Sequence, residues 1–314
     1  MSRTMIRAIL RLGIRAVIPA LAVSGIAFAH DFWVQPSTWR ARAGERISVE
    51  LRVGHPGDSD SVARDPRLFR GFFARRSGQP VTADSEVVGV DGRSPAGYAR
   101  PKEAGSWRIA YESEPRWLEL EAAKFERYLA QEGLEEIVRE RAALGESASP
   151  GREFYSRCAV ALLHVRGDSR PEGSPRAEPS EADGSHRPSA FESPLGLPLE
   201  IVPDHDPMAL EAGDALSLRI LRRGLPLEGV LLCLDPLVPD PELSRQARSD
   251  ARGRVTFELP APGGWLVTAV AMERAPREVR DRPDRPADWV SHWASLSFEA
   301  QAETERVEVG AAEK

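Results

Sequence analysis

No apolar run in this sequence reaches the roughly 18 residues that a membrane-spanning helix needs. Aromatic residues make up only 7% of the chain, too few for an aromatic-rich binding platform. No basic cluster stands out and the formal net charge is −6, so nucleic acid is not an expected partner. Catalytic signatures are missing as well: there is no His-Glu-x-x-His, no Gly-x-Ser-x-Gly, no phosphate-binding glycine loop and no Cys-x-x-Cys. The motifs therefore offer no enzyme. Only two cysteines occur, Cys158 and Cys233. An oxidising compartment would permit a disulfide between them, two buried thiols are the alternative, and spacing alone leaves both open.

What is present is turn chemistry. The 314 residues include 25 Gly and 26 Pro, which argues against a helical bundle. The chain opens with Arg3, Arg7, Arg11 and Arg15, without an acid among them, followed by the mostly apolar stretch Ala16 to Phe28. It then reads Ala27-Phe28-Ala29, a small-x-small site. This predicts a signal peptide over 1–29, cleaved after Ala29. Losing four arginines would take the net charge from −6 to −10. A negative exported protein suits a cation better than an anionic polymer.

After the leader, apolar residues alternate. Ile47, Val49, Leu51 and Val53 share one face, and Trp107, Ile109 and Tyr111 repeat the pattern. The period changes after Leu118: Phe125, Tyr128 and Leu129, then Leu134, Ile137 and Val138, fall at helical spacing with Gly133 between. Alternation resumes at Cys158 to Val165, then stops in a Pro-, Ser- and charge-rich segment that cannot bury enough apolar area to order itself. Five further alternating runs follow, from Leu197-Leu199-Ile201 to Trp265-Val267-Ala269, and Trp293 to Glu299 closes the series. The expected fold is mostly β: two antiparallel β-sandwich domains, immunoglobulin-like or transthyretin-like, with a helical insertion. The expected organisation is an N-terminal sandwich over 30–165 with the insertion at about 118–146, a linker over 166–193, a C-terminal sandwich over 194–300 and an acidic tail over 301–314.

Five segments occur in one order: HDFWVQP, LELEAAKFERYLAQEGLEE, GREFYSRCAVAL, SPLGLPLEIVP and WASLSFE. Together they resemble an exported bacterial family known as a domain of unknown function, number forty-one ninety-eight. The resemblance covers almost all of the mature chain. It implies an association with nickel uptake or cobalt/nickel transport, and hence a metal ion and a membrane metal permease as partners. SDARGRVTFELPAPGGWLVTAV is similar to the regulatory sandwich modules of the transthyretin and carboxypeptidase-regulatory type. Family members often carry a histidine near the end of the penultimate strand, where this chain has Val270-Ala271-Met272.

The chemistry-bearing residue is His30, which cleavage would make the first residue. Its free α-amine and imidazole Nδ1 can close a chelate ring on one metal ion, and a second histidine would complete a histidine brace. His55, in a turn just beyond a strand, is the first candidate, with Asp58 and Asp60 as oxygen ligands or outer acceptors. His292 on the closing strand is the second. His164 reads as a satisfied strand histidine, and His205 between two carboxylates as a surface cation site. The expected function is a periplasmic accessory protein binding a divalent transition metal (nickel, cobalt or copper) for uptake or homeostasis. The rival readings are a protein- or glycan-binding sandwich module and a histidine-brace copper oxidoreductase.

Overall fold

The computed structural model describes residues 30–83, 85–167 and 191–301. The expected leader, most of the linker and all but the first residue of the tail lie outside the described residues. The first half contains β1 (Asp31–Pro36), β2 (Arg40–Arg42), β3 (Ile47–His55), β4 (Asp58–Val62), β5 (Phe69–Arg76), β6 (Ser85–Glu86), β7 (Gly97–Ala99), β8 (Gly105–Ser113) and β9 (Arg116–Leu120). Two helices follow, α1 (Ala122–Gln131) and α2 (Glu135–Ala143), then the long strand β10 (Gly151–Arg166). The second half contains β11 (Leu199–Pro203), β12 (Ala215–Arg222), β13 (Leu225–Pro226), β14 (Leu231–Pro236), β15 (Arg245–Arg248), β16 (Arg254–Glu258) and β17 (Gly263–Arg274). The short α3 (Arg277–Arg280) precedes β18 (Trp289–Ala300). The protein is mostly β, as the alternation predicts.

The two expected units meet in one sheet. A ten-stranded sheet runs β15-β14-β17-β18-β10-β8-β5-β6, with β2 and β9 also on β10. Its seam is the parallel pairing of β10 with β18, from Glu153↔Trp289 to Ala161↔Ser297. Two four-stranded sheets cover it: β1, β3, β4 and β7 form one, β11, β12, β13 and β16 the other. They lie on opposite faces. Ser297 donates from Oγ to the carbonyl of Val34 on β1, whereas Cys158, of opposite parity in the register, meets the backbone of Leu199 on β11. A strand covered on both sides buries its side chains at successive positions, not every second one. This accounts for the unbroken buried runs Cys158–Leu163 and Trp293–Phe298.

The helical hairpin packs on the same face as β1. Phe125, Tyr128 and Leu129 sit at i, i+3 and i+4 and, with Ile137, bury against Val270, Met272, Trp289 and Trp293. Tyr128 stacks on Trp293, with ring centroids 5.7 Å apart and planes 4° apart. Gly133 makes the turn possible. Its φ is 69°, and a Cβ there would lie 2.7 Å from the Leu231 side chain, so only glycine suits this position. The turn is thereby clamped onto β14.

Candidate functional site

The site lies where β1, the end of β3, the hairpin turn and β14 converge. His30 immediately precedes β1, which pairs with β3 so that Asp31 sits opposite Gly54. Gly54 has φ 136°, and a Cβ on it would be 2.4 Å from the Asp58 carbonyl oxygen, so the tight exit from β3 depends on it. That exit presents His55. The His30 and His55 rings come edge to face, their centroids 5.1 Å apart. His55 Nδ1 is 3.3 Å from Asp31 Oδ2. This contact favours the tautomer with the proton on Nδ1, which leaves the Nε2 lone pair free. His30 Nδ1 is buried and has no hydrogen-bond partner.

Acids surround this pair. Leu231, Cys233 and Asp235 alternate on the side of β14 that faces the hairpin turn. Glu132, the C-cap of α1, closes the other side. Asp31, His55, Asp235, Asp240 and Ser244 line a cleft of about 230 Å³. The hydrogen bond that His55 donates to Asp31 raises the His55 pKa, opposed by burial and supported by the Asp31, Glu132 and Asp235 charges. Burial pushes Glu132 up to about 8, and the Asp31 carboxylate adds to that. Burial likewise raises Asp235. Cys233 is pushed up to about 12 by burial and then by Asp235, Glu132 and Asp31, so its thiol stays protonated. A cation placed beside such carboxylates would favour their ionised form.

The structure brings His30 and His55 together and does not gather the remaining sequence candidates there. Asp58 pairs with His55 across the β3–β4 turn and Asp60 pairs with Val53. Both aspartates are exposed, and among the described residues the side-chain partner of His55 is Asp31 and neither of them. His292 lies half-buried on β18, with Nδ1 2.6 Å from Ser156 Oγ. Burial lowers its pKa, and the charges that bear on it are Arg223, Glu273 and Arg222. His164 Nε2 bonds Asp206 Oδ2 at 2.8 Å, and His205 Nε2 bonds the Ala215 carbonyl at 2.8 Å. Among the described residues, no group of three or more His, Cys, Asp or Glu side chains can hold a metal ion alone.

Sequence reasoning missed Asp31, Glu132 and Asp235. Asp31 was legible as the neighbour of His30. Glu132 was one acid among many on a charged hairpin, and Asp235 reaches the site only through the pairing of β14 with β17. The cysteines stay apart as free thiols: Cys158 faces Leu199, and Cys233 faces the acids of the cleft.

Among the described residues no helix is long and apolar enough to cross a membrane. No curated protein matches the chain. Several solved structures are weakly similar, among them the following two. The adhesin InvE of Yersinia pseudotuberculosis is 8% identical with a TM-score of 0.19, over 88% of this chain and 60% of that one. A tetra-tandem repeat from the extending region of a large adhesion protein is 13% identical with a TM-score of 0.18, over 86% of this chain and 49% of that one. Such scores carry no argument about fold or function. The family profile, in contrast, matches residues 27–273, from just before His30 almost to the end of β17, and the chain belongs to that family, described as Domain of unknown function (DUF4198).

Proposed function

We propose that the chain, freed of its leader, is a periplasmic accessory protein that binds a divalent transition metal ion as cargo for uptake or homeostasis. Nickel and cobalt are the expected ions, and copper is the ion such a nitrogen set holds most tightly on the divalent affinity order. The observation that carries this reading is the pairing of His30 with His55, whose rings lie 5.1 Å apart, while His30 Nδ1 is left without a protein partner. Two imidazoles alone do not make a strong site. The third donor would be the α-amine that cleavage after Ala29 releases, and it belongs to the same residue as the orphaned Nδ1. His30 would supply the amine and Nδ1, and His55 its Nε2. Asp31 would orient the His55 ring, and Asp235 and Glu132 would offset the cation's charge. A permease is the expected recipient or donor of the ion.

The test compares the protein beginning at His30 with one extended by a single Ala before it. Both are titrated with Ni(II) and Cu(II) by isothermal calorimetry. The extension turns the amine into an amide and removes a ligand. The expected loss of affinity exceeds the roughly 10–100-fold that an outer-shell partner is worth. Equal affinities in the two proteins would overturn the reading.

A further inference from the structure

The face of the ten-stranded sheet beneath β1 and the helical hairpin carries polar atoms with nothing to bond. Arg157 on β10 lies directly beside Trp293 on β18, and Ser295 is two residues further along β18. The three side chains therefore share that face. Arg157 Nε, Trp293 Nε1 and Ser295 Oγ are buried atoms without hydrogen-bond partners, like His30 Nδ1. The Arg157 guanidinium, itself half-buried, has no acid partner among the described residues. It rests instead on the rings of Phe32 at 5.1 Å and Tyr155 at 5.6 Å. Phe32 is two residues from His30. The charges bearing on Arg157 include Arg116, which repels it, and Asp31, which attracts it.

An arginine keeps its charge, and burying it without a counter-ion is costly. The guanidinium and the indole N–H are obligate donors. Donors that outnumber acceptors beside a positive charge with no acid in direct contact call for an acceptor with negative charge, and the flat guanidinium fork matches a carboxylate. Asp31 and Asp235 nevertheless line the cleft at His55, the Glu132 charge bears on the same histidine, and together they would repel an anion arriving alone. A carboxylate is therefore favoured only if it brings its own cation.

From this juxtaposition we propose that the cargo is taken as a complex of the metal with a small carboxylate-bearing chelator. His30 and His55 take the metal, and Arg157, supported by Arg116, takes a carboxylate of the chelator. The proposal rests on the metal-binding reading above, which it extends to the chemical form of the cargo. It is a binding step, with no bond made or broken in the chelator.

The test uses three proteins beginning at His30: the unaltered sequence, Arg157→Met and Arg116→Gln. Each is titrated with Ni(II) chloride in a non-chelating buffer, then with equimolar Ni(II)–citrate, then with metal-free citrate. Arg157→Met should hold aqueous Ni(II) at least as tightly as the unaltered protein, since removing a cation cannot weaken a cation site. It should bind Ni(II)–citrate at least about tenfold more weakly, the loss expected for a charged hydrogen bond. Arg116→Gln should weaken the complex in the same direction by less, and metal-free citrate should bind all three poorly. Isotopically labelled citrate should stay with the unaltered protein on dialysis when Ni(II) is present. The inference is overturned if Arg157→Met and the unaltered protein bind Ni(II)–citrate equally, or if citrate simply strips the metal and is not retained. If no protein takes up aqueous Ni(II), the metal reading fails first and takes this one with it. Should circular dichroism show Arg157→Met unfolded, Arg116→Gln, at an exposed position of β9, and labelled-citrate retention decide.

Discussion

Glu153 offers a quantitative handle on how the helical hairpin is held. It lies on β10 beneath α1 and is 1% exposed, with the Tyr128 hydroxyl donating to its Oε2 at 3.4 Å. Burial pushes its carboxyl from the ordinary 4.5 up to about 7. At about 1.36 kcal/mol per pH unit, that displacement corresponds to ~3 kcal/mol. The sign follows from linkage. An acid whose folded pKa is raised keeps more protons when folded, so its stability contribution is complete below the unfolded value of 4.5 and is lost as pH rises through 7. Glu153→Gln removes this dependence while retaining an acceptor for Tyr128. Other raised acids, Glu132 and Glu200, titrate in both proteins and largely cancel in the difference. Thermal melts of the metal-free proteins from pH 4.5 to 8.5 should therefore diverge. The unaltered protein should lose about 5–10 °C more than Glu153→Gln across that range, the melting shift expected of ~3 kcal/mol in a chain of this size. Parallel melting curves would show that Glu153 is solvated or paired in a way this geometry does not contain.

Other consequences are open to measurement. Asp31→Asn should lower the His55 pKa toward 6.5, because the Asp31 hydrogen bond is the largest contributor to its rise, and an imidazole titration by NMR reads this directly. The same variant should weaken Ni(II) binding by about 10–100-fold through loss of ring orientation; an unchanged affinity would remove Asp31 from the site. Cys158 and Cys233 are free thiols, each pushed up to about 12 chiefly by burial. Native protein should react slowly with a thiol reagent at pH 8, and two thiols per chain should appear on unfolding without reductant. Recovery of no thiol would mean the cysteines pair.

The local elements were legible because each has a period. Ile47, Val49 and Leu51 bury on one side of β3, as alternation requires. Phe125, Tyr128 and Leu129 bury on one side of α1, as helical spacing requires. Gly133, read as the break between two helices, has the positive φ of such a break. The layer count was harder to read. Alternation predicts a strand over Cys158 to Val165 with one buried face, yet both faces of Cys158–Leu163 are covered and all six residues are buried. Periodicity reports how one strand distributes its side chains. It is silent on whether a second sheet will cover the outer face.

The pairing of the two histidines divides along the same line. The sequence alone determined that His30 follows a cleavage-like site and that His55 sits in a turn just beyond a strand; in the structure it is the last residue of β3. Tertiary structure decided that β1 lies against β3, which sets the two rings 5.1 Å apart. It also replaced the chain-local Asp58 and Asp60 with Asp31, Glu132 and Asp235 as the acids bearing on His55. Those acids come from a strand, a helix cap and a strand of the second half. They converge because the parallel pairing of β10 with β18 draws both halves into one sheet. A contact between residues more than a hundred positions apart has no local period, so it is fixed only when the layers close.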